Sequence, residues 1–190
     1  MEPVDAIPYL LEREPAPGRL RLVQRYVNTV DFERGREMLS TPSRLRDVLA
    51  ELGLLAPGGR AGAKDLRRAL EVREALRALA LANNGGRSDR KAAAVLEGAA
   101  ADGGLAVRFN GRSSTLVAAA PGVGGALAEL VGIVHTATAD GTWPRLKACR
   151  RDVCRWLFYD RSRNRSARWC QMAVCGNRTK TRAYRARRAG

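Results

Sequence analysis

Between residues 20 and 140 the apolar side chains fall at helical spacing in five places and alternate in one. Leu22, Val23, Tyr26, Val27 and Val30 mark the first helix. The second is "STPSRLRDVLAELGLL", where Thr41 or Ser43 can cap the free amides and Pro42 suits a first turn. "AKDLRRALEVREALRALALANN" predicts a long third helix that stops at Asn83, Asn84 and Gly85, and Ser88 is expected to start a fourth. The period then drops to two. Leu105, Val107 and Phe109 alternate with other residues, Asn110-Gly111 signals a turn, and Thr115 to Ala119 is the expected return strand. "GVGGALAELVGIVHTATAD" predicts a fifth helix with Leu127, Leu130, Val131 and Val134 on one face, and "GTWP" closes this part of the chain.

Past Pro144 the apolar pattern thins and a different chemistry begins. The reading is an α+β chain: an extended lead-in over 1–19, a mostly helical domain with a β-hairpin over 20–142, and a small four-cysteine module over 143–190. The two parts are expected to fold independently. Hydrophobic residues make up 45% of the chain, enough for a core. Charge separates the two parts sharply. Of a formal net charge of +15, residues 145–190 carry fifteen Arg and Lys against two acids, so +13; the preceding 144 residues carry nineteen against seventeen, so +2. Biased coding accounts for Arg outnumbering Lys but not for acids vanishing in one segment. Clustered positive charge calls for a polyanion, because each phosphate it meets sheds condensed counterions.

All four cysteines lie in that segment: Cys149 and Cys154 with four residues between them, fifteen more, then Cys170 and Cys175 with four between. Two short chelating loops that supply four thiolates fit a tetrahedral zinc with no position left for water, hence one structural Zn2+. Two disulfides, or four cysteines buried as small apolar residues, suit this polar and arginine-rich segment less well. A segment of its size also lacks the core to fold without a staple. Gly176 is expected to take positive φ and turn amides toward a sulfur. "RWLFYD" predicts a strand with Trp156 and Phe158 on one face, and Ser166 is expected to cap a short helix carrying Trp169 and Cys170. A terminal helix opens at Cys175-Gly176-Asn177. There Arg178, Arg182 and Arg185 stand at i, i+4 and i+7, with Lys180, Arg187 and Arg188 widening the face. These six are the candidate DNA contacts. Arg178 has a second expected role, pairing with Asp160.

"RLKACRRDVCRWLFYDRSRNRSARWCQMAVCGNR", ending in the tetrad at Cys175–Arg178, closely resembles the CGNR zinc fingers of bacteria. Upstream, "YVNTVD" at Tyr26–Asp31 and the helix around "LEVREALRAL" are similar to the ABATE-type domain that accompanies them. The resemblance implies a stress-response transcription regulator with the finger as its DNA binder. Neither what the upstream domain senses nor the DNA sequence read is implied. RNA or RNA polymerase is the alternative partner for the same finger.

In the helical part Arg73 points into an apolar arc, so it needs an acid or an anionic ligand unless it reaches water from the rim. With Asn28 and Asp31 it makes a candidate pocket for a small ligand. His135 is the only histidine, and neither a nucleophile elbow nor a phosphate loop is present, so no enzyme is expected. The first residues lack the basic-then-apolar pattern of an export leader, and the apolar runs read as too short for a membrane span. A cytoplasmic, nucleoid-associated protein without membrane contact is the expectation.

Overall fold

The computed structural model describes residues 14–188, and for 182–187 the backbone alone. The elements run α1 (Leu20–Val27), β1 (Val30–Asp31), β2 (Arg36–Glu37), α2 (Pro42–Glu51), α3 (Ala63–Ala82) and α4 (Arg90–Asp102). There follow β3 (Leu105–Asn110), β4 (Ser113–Ala118), α5 (Gly122–Ala139), β5 (Leu146–Ala148), β6 (Leu157–Tyr159) and α6 (Asn177–Arg188). The fold is α+β, and among the described residues the strands pair only as three antiparallel ribbons.

The helices begin where short-range chemistry lets them. Thr41 caps α2, its hydroxyl accepting from the Arg44 amide at 3.2 Å. The Asp65 carboxylate does the same for α3 through the Gly62 amide at 2.8 Å. Asp89, one residue past the expected Ser88, caps α4 by accepting from the amides of Lys91 and Ala92. The β3–β4 ribbon turns at Gly111 and Arg112, since Asn110 is still paired with Ser113; Gly111 supplies the positive φ of 59°.

α5 is the centre of the fold and touches α1, α3, α4 and β4. It is 18 residues long and apolar enough to cross a membrane, which the sequence reading had set aside. In this fold 56% of it is buried by the protein's own elements. The close pass of α4 over α5 explains Gly103: a Cβ there would lie 2.2 Å from the Ala128 methyl. Leu45, Leu49, Leu76, Leu127 and Leu130 fill the middle with almost no exposure. The β3–β4 ribbon covers α5 only at its base, where Leu105 and Leu116 meet Gly132. Its far end carries Val107 and Phe109 in water.

The short β5–β6 ribbon gives the molecule its layout. Its two faces alternate, as they must with a side-chain period of two. Leu146, Ala148, Leu157 and Tyr159 point into the same core as α1, α3 and α5. Phe158, with Trp156 just before β6, packs among the four cysteines on the other side. The expectation that Trp156 and Phe158 share a face is met. Independent folding of the two parts is not what this packing favours. Asn28 accepts from the Leu157 amide at 2.8 Å and donates to the Leu157 carbonyl at 2.9 Å. Asn84 at the end of α3 donates to the carbonyls of Ala148 and Arg168, and Asn83 to those of Trp143 and Leu146. The helical region thus satisfies buried backbone groups of the ribbon that no strand partner reaches.

Candidate metal centre and the basic surface around it

The first cysteine pair flanks the turn from β5 to β6. The second lies after a long loop, just before α6. Cys175 and Gly176 fall in a single π-helical turn, Met172–Gly176, that leads into that helix. Gly176 does not take positive φ. The short helix expected from Ser166 is replaced by an irregular loop, in which the Ser166 amide donates to Ser162 Oγ at 3.1 Å.

All four cysteines are buried, and their sulfurs lie within 4.8 Å of one another. Cys154 and Cys175 each place Sγ 3.7 Å from that of Cys170. A disulfide would need about 2.05 Å. The edge of a sulfur tetrahedron around zinc, with bonds of about 2.3 Å, is about 3.8 Å, so the donor set has the spacing of a metal site. Proton chemistry agrees. Hydrogen bonds from the thiols of Cys154 and Cys170, then from the Arg151 and Cys170 amides, push the Cys149 pKa down. Donation to Cys149 pushes Cys154 and Cys170 up. These hydrogen bonds favour the Cys149 thiolate over those of Cys154 and Cys170, and the thiolate is the form that binds a cation. Arg151 Nη1 lies 4.0 Å from Cys175 Sγ and offsets part of the thiolate charge. Four sulfur ligands leave no open position for a reacting water.

Beside the sulfurs is a second buried centre. Lys147 on β5 donates to Asp160 Oδ2 at 2.7 Å, both residues being buried. Burial alone would raise the Asp160 pKa, but hydrogen bonds from Lys147 and Ser162 outweigh it and hold the carboxyl below its ordinary value. Asp160 also accepts from the Ser162 hydroxyl and the Ala167 amide, and Lys147 donates to the Arg165 carbonyl. The arginine-rich loop over 161–168 therefore wraps a fixed ion pair.

The candidate DNA residues cluster on α6. Arg178, Lys180 and Arg188 are exposed there, and the side chains of Arg182, Arg185 and Arg187 lie outside the described residues. Arg178 does not pair with Asp160, which Lys147 already occupies; its partner is Glu33, between β1 and β2. Glu33 also takes Arg151 at 2.9 Å, and the Arg151 hydrogen bond leads in keeping its carboxyl below the usual range.

Arg73 is buried, and its acid is Glu37 on β2, which it grips with two nitrogens at 2.7 Å each. Glu74 accepts from its Nε and the Thr29 hydroxyl from its Nη1. Asp31 pairs with Arg34, and Asn28 holds Leu157. One turn on, Arg77 is buried as well, donating to the Val27 and Arg155 carbonyls. The partners that Glu33, Glu37, Arg77 and Asn84 meet across the fold escaped the sequence reading because each lies at least 36 positions away. That of Lys147 escaped it because Asp160 comes just past β6, 13 positions on. Asp160 did leave a trace, as one of only two acids past Pro144.

A helical domain that shares a β-ribbon with a closed four-thiolate site defines a protein with one structural zinc. Comparison with family models agrees. Residues 20–155 match the ABATE domain, described as "Putative stress-induced transcription regulator", and residues 145–188 match the CGNR zinc finger. The chain belongs to the ABATE family and carries a CGNR zinc finger at its C-terminal end. The two matches overlap from 145 to 155, over β5 and the first cysteine pair, where the packing is also shared. No curated protein matches the chain.

Proposed function

We propose that this protein is a bacterial, cytoplasmic transcription regulator that binds duplex DNA through the finger over 143–190. The observation that carries the reading is the excess of +13 in the last 46 residues, gathered where a metal centre fixes the start of α6. A zinc-anchored helix with arginines along one face suits the phosphate backbone, and guanidinium groups in a row with few amides favour phosphates over base edges. The role is non-catalytic, because four thiolates close the metal to substrate. A small effector acting at Asn28, Asp31 and Arg73 would have to displace Glu37 from Arg73, so an anionic effector is the kind that fits.

A salt titration on duplex DNA tests the DNA reading. Arg182→Ala and Arg185→Ala should each lower the slope of log affinity against log salt by about one, at nearly every sequence tried. Unchanged slopes and affinities in both variants would transfer this face to a protein partner such as RNA polymerase. Equal binding to single-stranded RNA and duplex DNA would favour RNA.

A further inference from the structure

Glu33 belongs to the helical region, yet its carboxylate lies on the finger. A single oxygen, Oε1, accepts from Nη1 of Arg151 at 2.9 Å and from Nη1 of Arg178 at 2.5 Å. Arg151 comes from between the first two cysteines, and Arg178 ends the CGNR tetrad. Two guanidinium groups from separate parts of the finger thus converge on one anionic oxygen beside the metal site. Convergent arginines are the usual holder of a phosphate, whose charge and acceptor geometry a carboxylate reproduces.

The finger does not supply this anion itself. Its two acids are Asp152 and Asp160, and Asp160 is spent on Lys147. The acid comes instead from a braced ribbon. Phe32 lies under the Arg77 guanidinium at 5.0 Å, and Glu37 is clamped by Arg73. The bridge to Arg178 faces water, with 58% of the Arg178 side chain and 36% of that of Glu33 exposed. An exposed pair of this kind is cheap to exchange for another anion.

We propose that Arg151 and Arg178 form a phosphate-binding site for duplex DNA, and that Glu33 is the internal anion that fills it in the free protein. The proposal rests on the DNA reading above. A DNA phosphate takes the place of the Glu33 carboxylate, so the β1–β2 ribbon competes with DNA for the CGNR arginine. Anything that moves that ribbon, including a change at the Arg73–Glu37 clamp, then alters DNA affinity.

The test uses the full zinc-loaded chain and a mixed-sequence duplex, with Glu33→Gln, Arg178→Ala and the double variant. Asp152→Asn, which neutralises an exposed acid within the finger, is the control for net charge. Glu33→Gln should tighten binding about five- to tenfold at 0.1 M monovalent salt and steepen the salt slope by about one. The gain should vanish when Arg178 is Ala, and Asp152→Asn should give less. Three results would overturn the proposal. If Glu33→Gln leaves affinity unchanged or weakens it while Arg182→Ala still flattens the slope, Glu33 is a structural joint and DNA binding stands. If the gain is equal with and without Arg178, the effect is bulk charge. If no variant binds duplex DNA, the DNA reading fails and this site fails with it.

Discussion

The helical region and the finger reach order by opposite routes. In the first, leucines from α2, α3 and α5 interlock with almost no exposure, each burial contributing about 2 kcal/mol. In the second, the buried cluster is four cysteines and Phe158, with half-buried Trp156 and Trp169 around them. The indole nitrogens of both tryptophans are buried without an acceptor among the described residues. So small an apolar set leaves the finger dependent on its metal, its Lys147–Asp160 pair and the core it borrows through β5–β6. The contrast teaches that a zinc module can be dependent on its neighbour while differing from it in chemistry. One face of the short β5–β6 ribbon, with the hydrogen bonds of Asn28, Asn83 and Asn84, joins the two.

The most damaging change should be removal of the metal. Cys170→Ser should abolish zinc binding, which contributes on the order of 10 kcal/mol in such modules. Order should go from the 161–176 loop and the start of α6, while α2 to α5 remain because their leucines do not touch the site. Metal analysis gives the stoichiometry, about one zinc per chain in the native protein and none in the variant. Circular dichroism follows the helices. Cooperative loss of the whole helical signal would break the comparison and make the molecule one unit.

Lys147→Met comes next. It leaves the Asp160 carboxylate buried beside the metal site without its cation, at a cost of about 3–5 kcal/mol in the finger. The pH dependence has a definite sign. Asp160 is held below the ordinary carboxylate value in the folded protein, so its contribution is present above the unfolded value of about 3.9. It is lost as pH falls through the lower folded value. In the variant the carboxyl is easier to protonate, and protonation relieves the unpaired charge. The stability gap between wild type and variant should therefore be widest near neutral pH and narrow as pH drops below about 4. A gap that stayed constant from pH 7 to pH 4, measured by thermal unfolding, would show that the ion pair is not what orders the loop.

Asn28→Ala probes the joint itself and should cost about 1–3 kcal/mol, since it strands the amide of Leu157 and leaves its carbonyl only the bond from Gln24 at 3.3 Å. Thermal unfolding should show the loss in both regions, whereas a loss confined to the finger would mean that the ribbon does not belong to the helical core. Asn28 also marks the limit of what could be read from the chain. Amphipathic periods and caps are local, and α3, α4, α5 and the β3–β4 ribbon were legible within a residue or two. By contrast α2 stops at Glu51, four residues before the expected Leu55, and Val30, expected on the first helix, lies in β1. The metal ligands were legible for a related reason, because cysteine pairs at chelating distance carry their purpose in their spacing. Nothing near Asn28 says that it will bind a backbone 129 residues away, or that Glu33 will meet Arg178 at a separation of 145. Arg73 was recognisable as an oddity, a charge in an apolar arc. Its partner was not, because Glu37 becomes its neighbour only after β1 and β2 fold back along α3.

The smallest expected effect sharpens the contrast from the other side. Thr41 caps α2 through a single hydrogen bond to the Arg44 amide, at a site exposed to water and built within four residues of chain. Thr41→Ala leaves that amide to solvent and should cost about 1 kcal/mol, the typical loss of a side-chain cap. Because α2 makes its burial through Leu45, Val48 and Leu49, no cavity opens and the fold persists. The informative quantity is additivity. Sites without shared partners add within about 0.5 kcal/mol, so Thr41→Ala should lower the stability of wild type and of Lys147→Met by the same amount. Zinc affinity, followed by competition with a chelator, should be unchanged by the Thr41 substitution in either background. A coupling beyond that margin would mean that α2 feels the finger through the common core. The joint at β5–β6 would then carry more than the hydrogen bonds of Asn28, Asn83 and Asn84.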